Sequence, residues 1–434
     1  MLNKKIFLAT AILACSMSSV AMASDLELHG YAKTGVMVDS ELNSVGTNAP
    51  DGLLRSRASY NGTTLDVPAN QFELVGAKKF SSDNGAQGRL DFRLEYGNRT
   101  GGAYDYYSSS GGEQKTDNYF ELKEAYVTLE KLDFLPKDSS VWAGRKFYGR
   151  DSGALTGEFW KQSSGVGFGY DTNKFSMALV GADLVKAPDN SDANGNDSGK
   201  EQTAFVLDTR IKNIKVPGGN VELQVNLYTQ KNAKTADELN NSKRADSGLG
   251  LGITYNIDGY YGVKKGWSKA GLAYGKGLGG SAKGLNFGSW LDGDLEDSKS
   301  ILATTYGMVN LTDKLQVGTE VTLHNAEKVF GADDINRFGI TVNPSYKITK
   351  NLRMTAEAAF TTETYKNSGA DLDNATTSLT LAPVITMNND FYGRPQIKPF
   401  ITFVDVNAKG STKWHRYDGK DSGTFAGVVG EVWF

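Results

Sequence analysis

In Arg89-Leu90-Asp91-Phe92-Arg93-Leu94-Glu95-Tyr96 every even position is apolar and every odd position is charged. A strand turns successive side chains to opposite faces, so this run has one face for oil and one for water. The same period of two returns in Val221-Glu222-Leu223-Gln224-Val225-Asn226-Leu227, from Leu315 to His324, and from Leu352 to Phe360. From Leu26 to Phe434 one texture persists, with short alternating runs separated by clusters of Gly, Asn, Asp and Ser. No linker, composition shift or internal repeat marks a second domain.

A soluble β-sandwich alternates as well, so the period alone leaves two architectures open. Three features favour a membrane barrel. The polar face is heavily charged in strand after strand. Connections alternate between tight turns such as Thr312-Asp313-Lys314 and long polar loops such as Asp189 to Glu201, the pattern of outer-membrane barrels. The chain also stops on an aromatic residue in a strand-like segment, Phe425-Ala426-Gly427-Val428-Val429-Gly430-Glu431-Val432-Trp433-Phe434. With roughly 22 to 25 residues per strand and connection, the chain gives some 16 to 18 strands, a size that leaves an aqueous channel.

Composition agrees with this reading. Glycine is abundant at 50 of 434 residues, proline is scarce at 9, and Tyr and Phe number 20 each. Such a balance suits strands rather than collagen or coil. No stretch after the first 23 residues is apolar enough for a membrane helix. A barrel escapes that test, because alternation hides its oily face from any hydropathy average.

Residues 1–23 read as a secretory signal peptide, leaving 24–434 as the barrel. Lys4 and Lys5 form the positive region, Ile6 to Ala14 the apolar one, and Ala21-Met22-Ala23 the cleavage site. The alternative, a lipoprotein signal acylated on Cys15, competes with that downstream Ala-x-Ala site. Cleavage after Ala23 removes Cys15 and takes the net charge from −3 to −5. Disulfides are then excluded, and nothing basic suggests nucleic acid.

Catalytic and metal-binding patterns are thin. His29, His324 and His415 are widely separated and lack HExxH or cysteine partners. Gly275-Lys276-Gly277-Leu278-Gly279-Gly280 satisfies G-x-G-x-x-G, but its flanks read as strand and loop, so an exposed glycine-rich loop is expected. Asp189 to Asp197 offers oxygens for calcium without the glycine and terminal glutamate of an EF-hand, and reads as a solvated loop. No cofactor, metal or catalytic residue is expected, and charges on strand faces are the default lining of a pore. A barrel hydrolase would need a nucleophile and base together, and no such pair is recognisable.

Parity then sorts the two chain ends. If Phe434, Val432 and Val428 face lipid, Trp433, Glu431 and Phe425 face the lumen. On the first strand Glu27, His29, Tyr31 and Lys33 share one parity. First and last strands of a closed barrel are neighbours, which brings Tyr31 towards Trp433 on the inner wall. A ring flanked by ionisable groups suits a sugar, whose C–H face stacks while its hydroxyls bond to charges. The competing reading of Trp433 is a girdle residue at the membrane interface.

The chain resembles the maltoporin-like, sugar-specific outer-membrane porins. The resemblance rests on His29-Gly30-Tyr31-Ala32-Lys33-Thr34-Gly35, Trp142-Ala143-Gly144-Arg145-Lys146-Phe147-Tyr148-Gly149-Arg150, Ser164-Gly165-Val166-Gly167, Lys265-Gly266-Trp267, Phe391-Tyr392-Gly393-Arg394-Pro395 and the Trp433-Phe434 ending. It implies an all-β, transmembrane antiparallel barrel of 18 strands with short periplasmic turns and long external loops. It also implies a homotrimer in the outer membrane of a Gram-negative bacterium, in contact with its lipid, and a ladder of aromatics guiding a saccharide past a constriction. Tyr31, Trp267, Tyr392 and Trp433 match that ladder, and Phe159 matches the constriction tyrosine. Lys33 and Lys123 match positions usually held by arginine, Arg150 matches a retained arginine, and Glu431 completes the polar track.

Several positions depart from the family pattern. Gly157 and Gln162 stand where maltodextrin-transporting members have acidic residues, so malto-oligosaccharide specificity does not follow. Either Asn70 or Phe72 takes the next aromatic position. Tyr106, in the loop Tyr104-Asp105-Tyr106-Tyr107, is a candidate for the ring that members donate to a neighbouring subunit, against the reading of a solvated loop. Facilitated diffusion of a saccharide, maltodextrin or another oligosaccharide, is the expected function. The alternative is a general diffusion porin for small hydrophilic solutes and ions.

Overall fold

A computed structural model describes residues 26–38, 40–42, 70–98, 121–183, 203–230, 245–263, 265–288, 296–329, 332–367, 370–409 and 422–434. The expected signal segment, Tyr104 to Tyr107 with the candidate Tyr106, Asp189 to Asp197 and His415 lie outside the described residues.

The first strands are β1 (Leu26–Val38), β2 (Asn70–Ser81), β3 (Gln87–Asn98), β4 (Glu121–Glu130), β5 (Ser140–Ser152) and β6 (Phe159–Asp171). They are followed by β7 (Phe175–Asp183), β8 (Thr203–Val216), β9 (Gly219–Gln230), β10 (Ser247–Ile257) and β11 (Gly266–Gly277). A one-turn helix α1 (Leu278–Ser281) and a two-residue strand β12 (Asn286–Phe287) come next. The chain then runs through β13 (Lys299–Asn310), β14 (Leu315–Val329), β15 (Ala332–Lys347), β16 (Leu352–Asn367), β17 (Ala370–Thr386), β18 (Gln396–Lys409) and β19 (Ser422–Trp433).

Consecutive strands pair antiparallel, β11 pairs with β13, and β19 returns to β1. Among the described residues the wall is therefore a closed barrel of 18 strands, with β12 set inside it and paired in parallel with Gln162 and Ser163 of β6. Closure leaves the wall without a free first or last edge, so its strands satisfy their backbone groups on one another, as the hydrocarbon interior demands.

The alternation read from sequence sorts as expected. On β9, Leu223, Val225 and Leu227 are exposed on the outside, while Gln224, Asn226 and Tyr228 are buried inside. Short turns such as 172–174, 217–218 and 311–314 lie at one end with the chain terminus, the periplasmic end. The strand ends that flank the long connections 39–69, 99–120 and 184–202 are at the other, external end, where β14 and β15, and β16 and β17, are separated by only two residues each.

Two segments leave the wall and enter the lumen. β5 pairs with β4 only from Ser140 to Arg145, and β6 with β7 only from Val166 to Asp171. Beyond those points the β5–β6 hairpin stands free of its outer neighbours and folds inward. Behind it, α1 packs on β9 to β11 and on β13, and Leu278 and Phe287 join Trp142, Tyr148, Val180, Val206 and Tyr228 in an apolar core. The glycine-rich run expected as an exposed loop is instead buried strand and helix. A Cβ on Gly275 would collide with the carbonyl of Gly279, so the glycines let α1 lie directly on the wall.

Candidate functional site in the barrel lumen

At the periplasmic end, closure between β1 and β19 sets Tyr31 opposite Trp433 and Lys33 opposite Glu431. The Tyr31 hydroxyl donates to Glu431 Oε1 at 3.2 Å. Arg394 Nε and Gln396 Nε2 both donate to Glu431 Oε2, at 2.7 and 2.5 Å. The Arg394 guanidinium also lies 4.9 Å from the centroid of the Trp433 ring, a cation–π contact that fixes the ring's pose. Trp433 remains exposed, so one aromatic face with charged groups at its edge is open to solvent.

The turn between β17 and β18 reaches this region. Phe391 and Tyr392 pack edge to face at 5.0 Å, and the Tyr392 phenol interacts with Trp267 of β11. Burial pushes that phenol up to about 12. Trp267 in turn meets Tyr306 of β13 at 6.1 Å, nearly perpendicular. Tyr31 with Trp433, and Tyr392 with Trp267, are thus two ring pairs on the inner wall, bridged by Arg394 in the same turn as Tyr392.

Phe159 lies apart from those four, and no described contact joins it to them. It sits at the tip end of the inserted hairpin's return strand, opposite Ser152, with the Arg150 guanidinium 3.8 Å from its ring centroid and 4.6 Å from that of Phe147. The charges facing Arg150 are Arg93, Glu95, Glu73 and Glu124. Arg93 pairs with Glu73 and, at 2.7 Å, with Glu124, and Glu124 accepts the N–H of Phe147 at 2.9 Å. Lys123 falls where the β3–β4 register shifts between Arg93 and Leu94. It is buried and pairs with Glu121, so it stabilises the wall below the hairpin.

The hairpin is fastened on several sides. Asp151 accepts from Lys269 Nζ at 2.8 Å and from the Tyr306 hydroxyl at 2.6 Å. Lys161 pairs with Glu222 at 2.7 Å and bonds Thr254 at 3.0 Å, and Ser163 donates to Asp208 at 2.6 Å. At the tip, Glu320 of β14 accepts the N–H of Leu155 at 2.8 Å, the N–H of Thr156 at 3.2 Å and the Thr156 hydroxyl at 2.5 Å. Trp160 packs between Tyr306, Leu302 and Ala273. The lumen is therefore narrowed by a built-in strut carrying Arg150 and Phe159.

Phe72, one of the two candidates for the next aromatic position, is turned away from the lumen. It pairs with Ala32 on the outward parity of β1, and its ring lies 6.4 Å from that of Phe434. Glu73, its neighbour, is the inward residue at that level, opposite Tyr31. Phe147, Arg394, Tyr306, Trp160 and Glu320 were not singled out from sequence. Phe147 and Arg394 stand inside the two stretches that carry the family resemblance, whereas Glu320 is one more inward polar residue of an alternating strand until its partner is in place.

A closed antiparallel barrel with an oily outer face and a charged, aromatic-lined lumen is a multi-pass channel of the bacterial outer membrane. Comparison with protein families matches residues 26–434 to the LamB porin, and the chain belongs to that family. It is 22% identical over 427 residues to a maltoporin of Vibrio cholerae serotype O1 strain El Tor Inaba N16961, covering 92% of this chain and 93% of that one. Among solved structures it is similar to an anion-selective porin from Comamonas acidovorans, with TM-score 0.43, 12% identity, and coverage of 94% of this chain and 99% of that one. It is also similar to the outer-membrane expressed OmpT of Vibrio cholerae, with TM-score 0.40, 10% identity, and coverage of 94% and 97%.

Proposed function

We propose that this porin carries saccharides across the outer membrane by facilitated diffusion, with sugar rings stacking on Trp433, Tyr31, Tyr392, Trp267 and Phe159. The observation that supports this most is the Tyr31–Trp433 pair. Two inward rings stand in register on adjacent strands, with Glu431 and Arg394 at their edges. A pyranose offers an apolar face and a rim of hydroxyls, and such a surface complements both. Lys33, Lys123, Arg150 and Glu431 supply polar partners to the rim or hold the wall that presents them. Each ring gives a weak site, about 1–3 kcal/mol by analogy with base stacking, and weak adjacent sites favour passage over capture. No energy source or covalent step is involved. The maltoporin relatives and the closed barrel also make a homotrimer the assembly to expect, which cross-linking in detergent would test.

Planar-bilayer conductance tests the function directly. Reversible, concentration-dependent block of ion current by an oligosaccharide is the expected result. Unblocked current across a broad panel of sugars would leave a general diffusion porin as the reading.

A further inference from the structure

Lys398 of β18 faces the lumen and is 4% exposed. On the flanking strands it stands opposite Val429 and one position from the Ile385–Ile397 pair, beside Val384. Its wall is apolar, formed by Val384, Val429, Phe400 and Ala382. Among the described residues its ammonium makes no hydrogen bond or ion pair. The charged groups that act on it are Lys33, Glu431, Glu357 and Arg394.

The nearby carboxylates are already engaged. Glu431 takes Tyr31 on one oxygen and Arg394 with Gln396 on the other. Glu357 accepts from Asn343 at 2.8 Å. Arg353 of β16, which also faces inward, donates to the backbone carbonyl of Asp390 at 2.8 Å and to Gln396 Oε1 at 2.7 Å, both neutral acceptors. Asp390 has its carboxylate on Gln316 and, at 3.4 Å, on Lys347. Four cations, Lys33, Arg353, Arg394 and Lys398, thus share one part of the wall with the carboxylates Glu431, Glu357, Asp390 and Glu73, each of which already holds another partner. A buried ammonium with no direct hydrogen-bond or ion-pair partner is costly, and an oxyanion from solution would relieve it.

We propose that Lys398, with Arg353, Arg394 and Lys33 around it, forms an oxyanion subsite at the periplasmic end of the lumen, and that the preferred solutes are acidic saccharides bearing a carboxylate or phosphate ester. The inference rests on the saccharide reading above and names its substrate class. A sugar ring on Trp433 or Tyr31 lies beside these cations, because Arg394 covers Trp433 and Tyr31 shares Glu431 with it. Stacking and charge then act on one solute together. An unpartnered inward cation favours anions in the ion current, as charged rings do in other pores.

The test uses the full-length protein in planar bilayers, comparing wild type with K398Q and with K398R, which keeps the charge. Zero-current potentials in a potassium chloride gradient are expected to give anion selectivity in wild type and K398R, and a shift towards cations in K398Q. Current block by trigalacturonate is expected to be about tenfold tighter than by maltotriose, as for one added charge contact. That ratio should fall towards one in K398Q and persist in K398R, while inorganic phosphate alone should block far less than trigalacturonate. Equal block by the two trisaccharides, with the potential unmoved in K398Q, overturns the subsite and leaves saccharide transport standing. Phosphate alone matching trigalacturonate overturns the assignment to sugars. Block by neither trisaccharide, with the K398Q shift present, overturns saccharide transport and leaves the oxyanion site.

Discussion

The N–H of Leu155, at the tip of the inserted hairpin, donates at 2.8 Å to Glu320 on the far wall, joining residues 165 positions apart. Glu320 is buried and also satisfies Thr156 twice, so one carboxylate closes off three donors of a segment that has left the sheet. At the end of the strut that narrows the lumen, this side chain acts together with Lys283, which pairs with Glu158, and Asn286, which donates to the Phe159 carbonyl at 2.8 Å.

Replacing Glu320 by alanine should strand those donors, at about 1–3 kcal/mol for a group left unsatisfied. The expected outcome is a lower unfolding temperature together with a larger and noisier single-channel conductance, since the tip is freed while the wall remains. E320Q, which keeps one carbonyl acceptor, should fall between. A conductance trace indistinguishable from wild type in E320A would count against the strut.

Phe159 and Trp433 should matter to solute block more than any buried residue of the wall. Each ring carries an arginine, at 3.8 and 4.9 Å, so alanine removes a stacking face and releases a cation. Loss of about 1–3 kcal/mol of stacking corresponds to roughly 5- to 150-fold weaker block by an oligosaccharide. His324 is buried with both ring nitrogens unbonded. H324Q should leave the block constant near wild type, and a titration of current against sugar concentration would compare the three.

The barrel itself was legible because its strands bear different solvents on two faces. Leu223, Val225 and Leu227 could be assigned outward from period alone, and closure then fixed Tyr31 against Trp433. The strut was not legible. From Phe159 to Ser164 the chain reads Phe-Trp-Lys-Gln-Ser-Ser, with no alternation, because a strand inside the lumen is covered on both faces. Phe72 was ambiguous for another reason: the segment Asn70 to Glu73 matches the family pattern poorly, and only its pairing with Ala32 shows that Phe72 looks outward. Lys123 hides in a register shift, where period-two reasoning fails by construction.

Gly30 and Phe434 make a second falsifiable junction. Each donates its backbone N–H to the other's carbonyl, at 2.7 and 3.0 Å, and a Cβ on Gly30 would run into the Phe434 ring. G30V should therefore displace the terminal ring from its seat beside Phe72, at about 1–3 kcal/mol for an overpacked contact. Heat-modified gel mobility should then change at a lower temperature than in wild type, with pore conductance unaltered. An unchanged transition temperature would mean that the C-terminal ring adds nothing to closure.

Tyr392 supplies a prediction in pH. It sits in the turn between β17 and β18, and burial is the largest cause holding its phenol up, from 10 to about 12, with Asp390 adding to the rise while Trp267 and Arg394 oppose it. A group whose folded-state pKa lies above its unfolded one contributes stability that is complete below the unfolded value and is lost as pH rises through the folded one. The contribution should therefore be intact up to about pH 10 and gone by about pH 12. Thermal unfolding of wild type and Y392F across that window should diverge, with wild type falling more steeply because its unfolded tyrosine ionises first. Below pH 9 the two curves should run parallel, since the phenol is neutral in both states. Parallel curves throughout, up to pH 12, would mean that the Tyr392 hydroxyl is solvated and that its contact with Trp267 does not hold the turn in place.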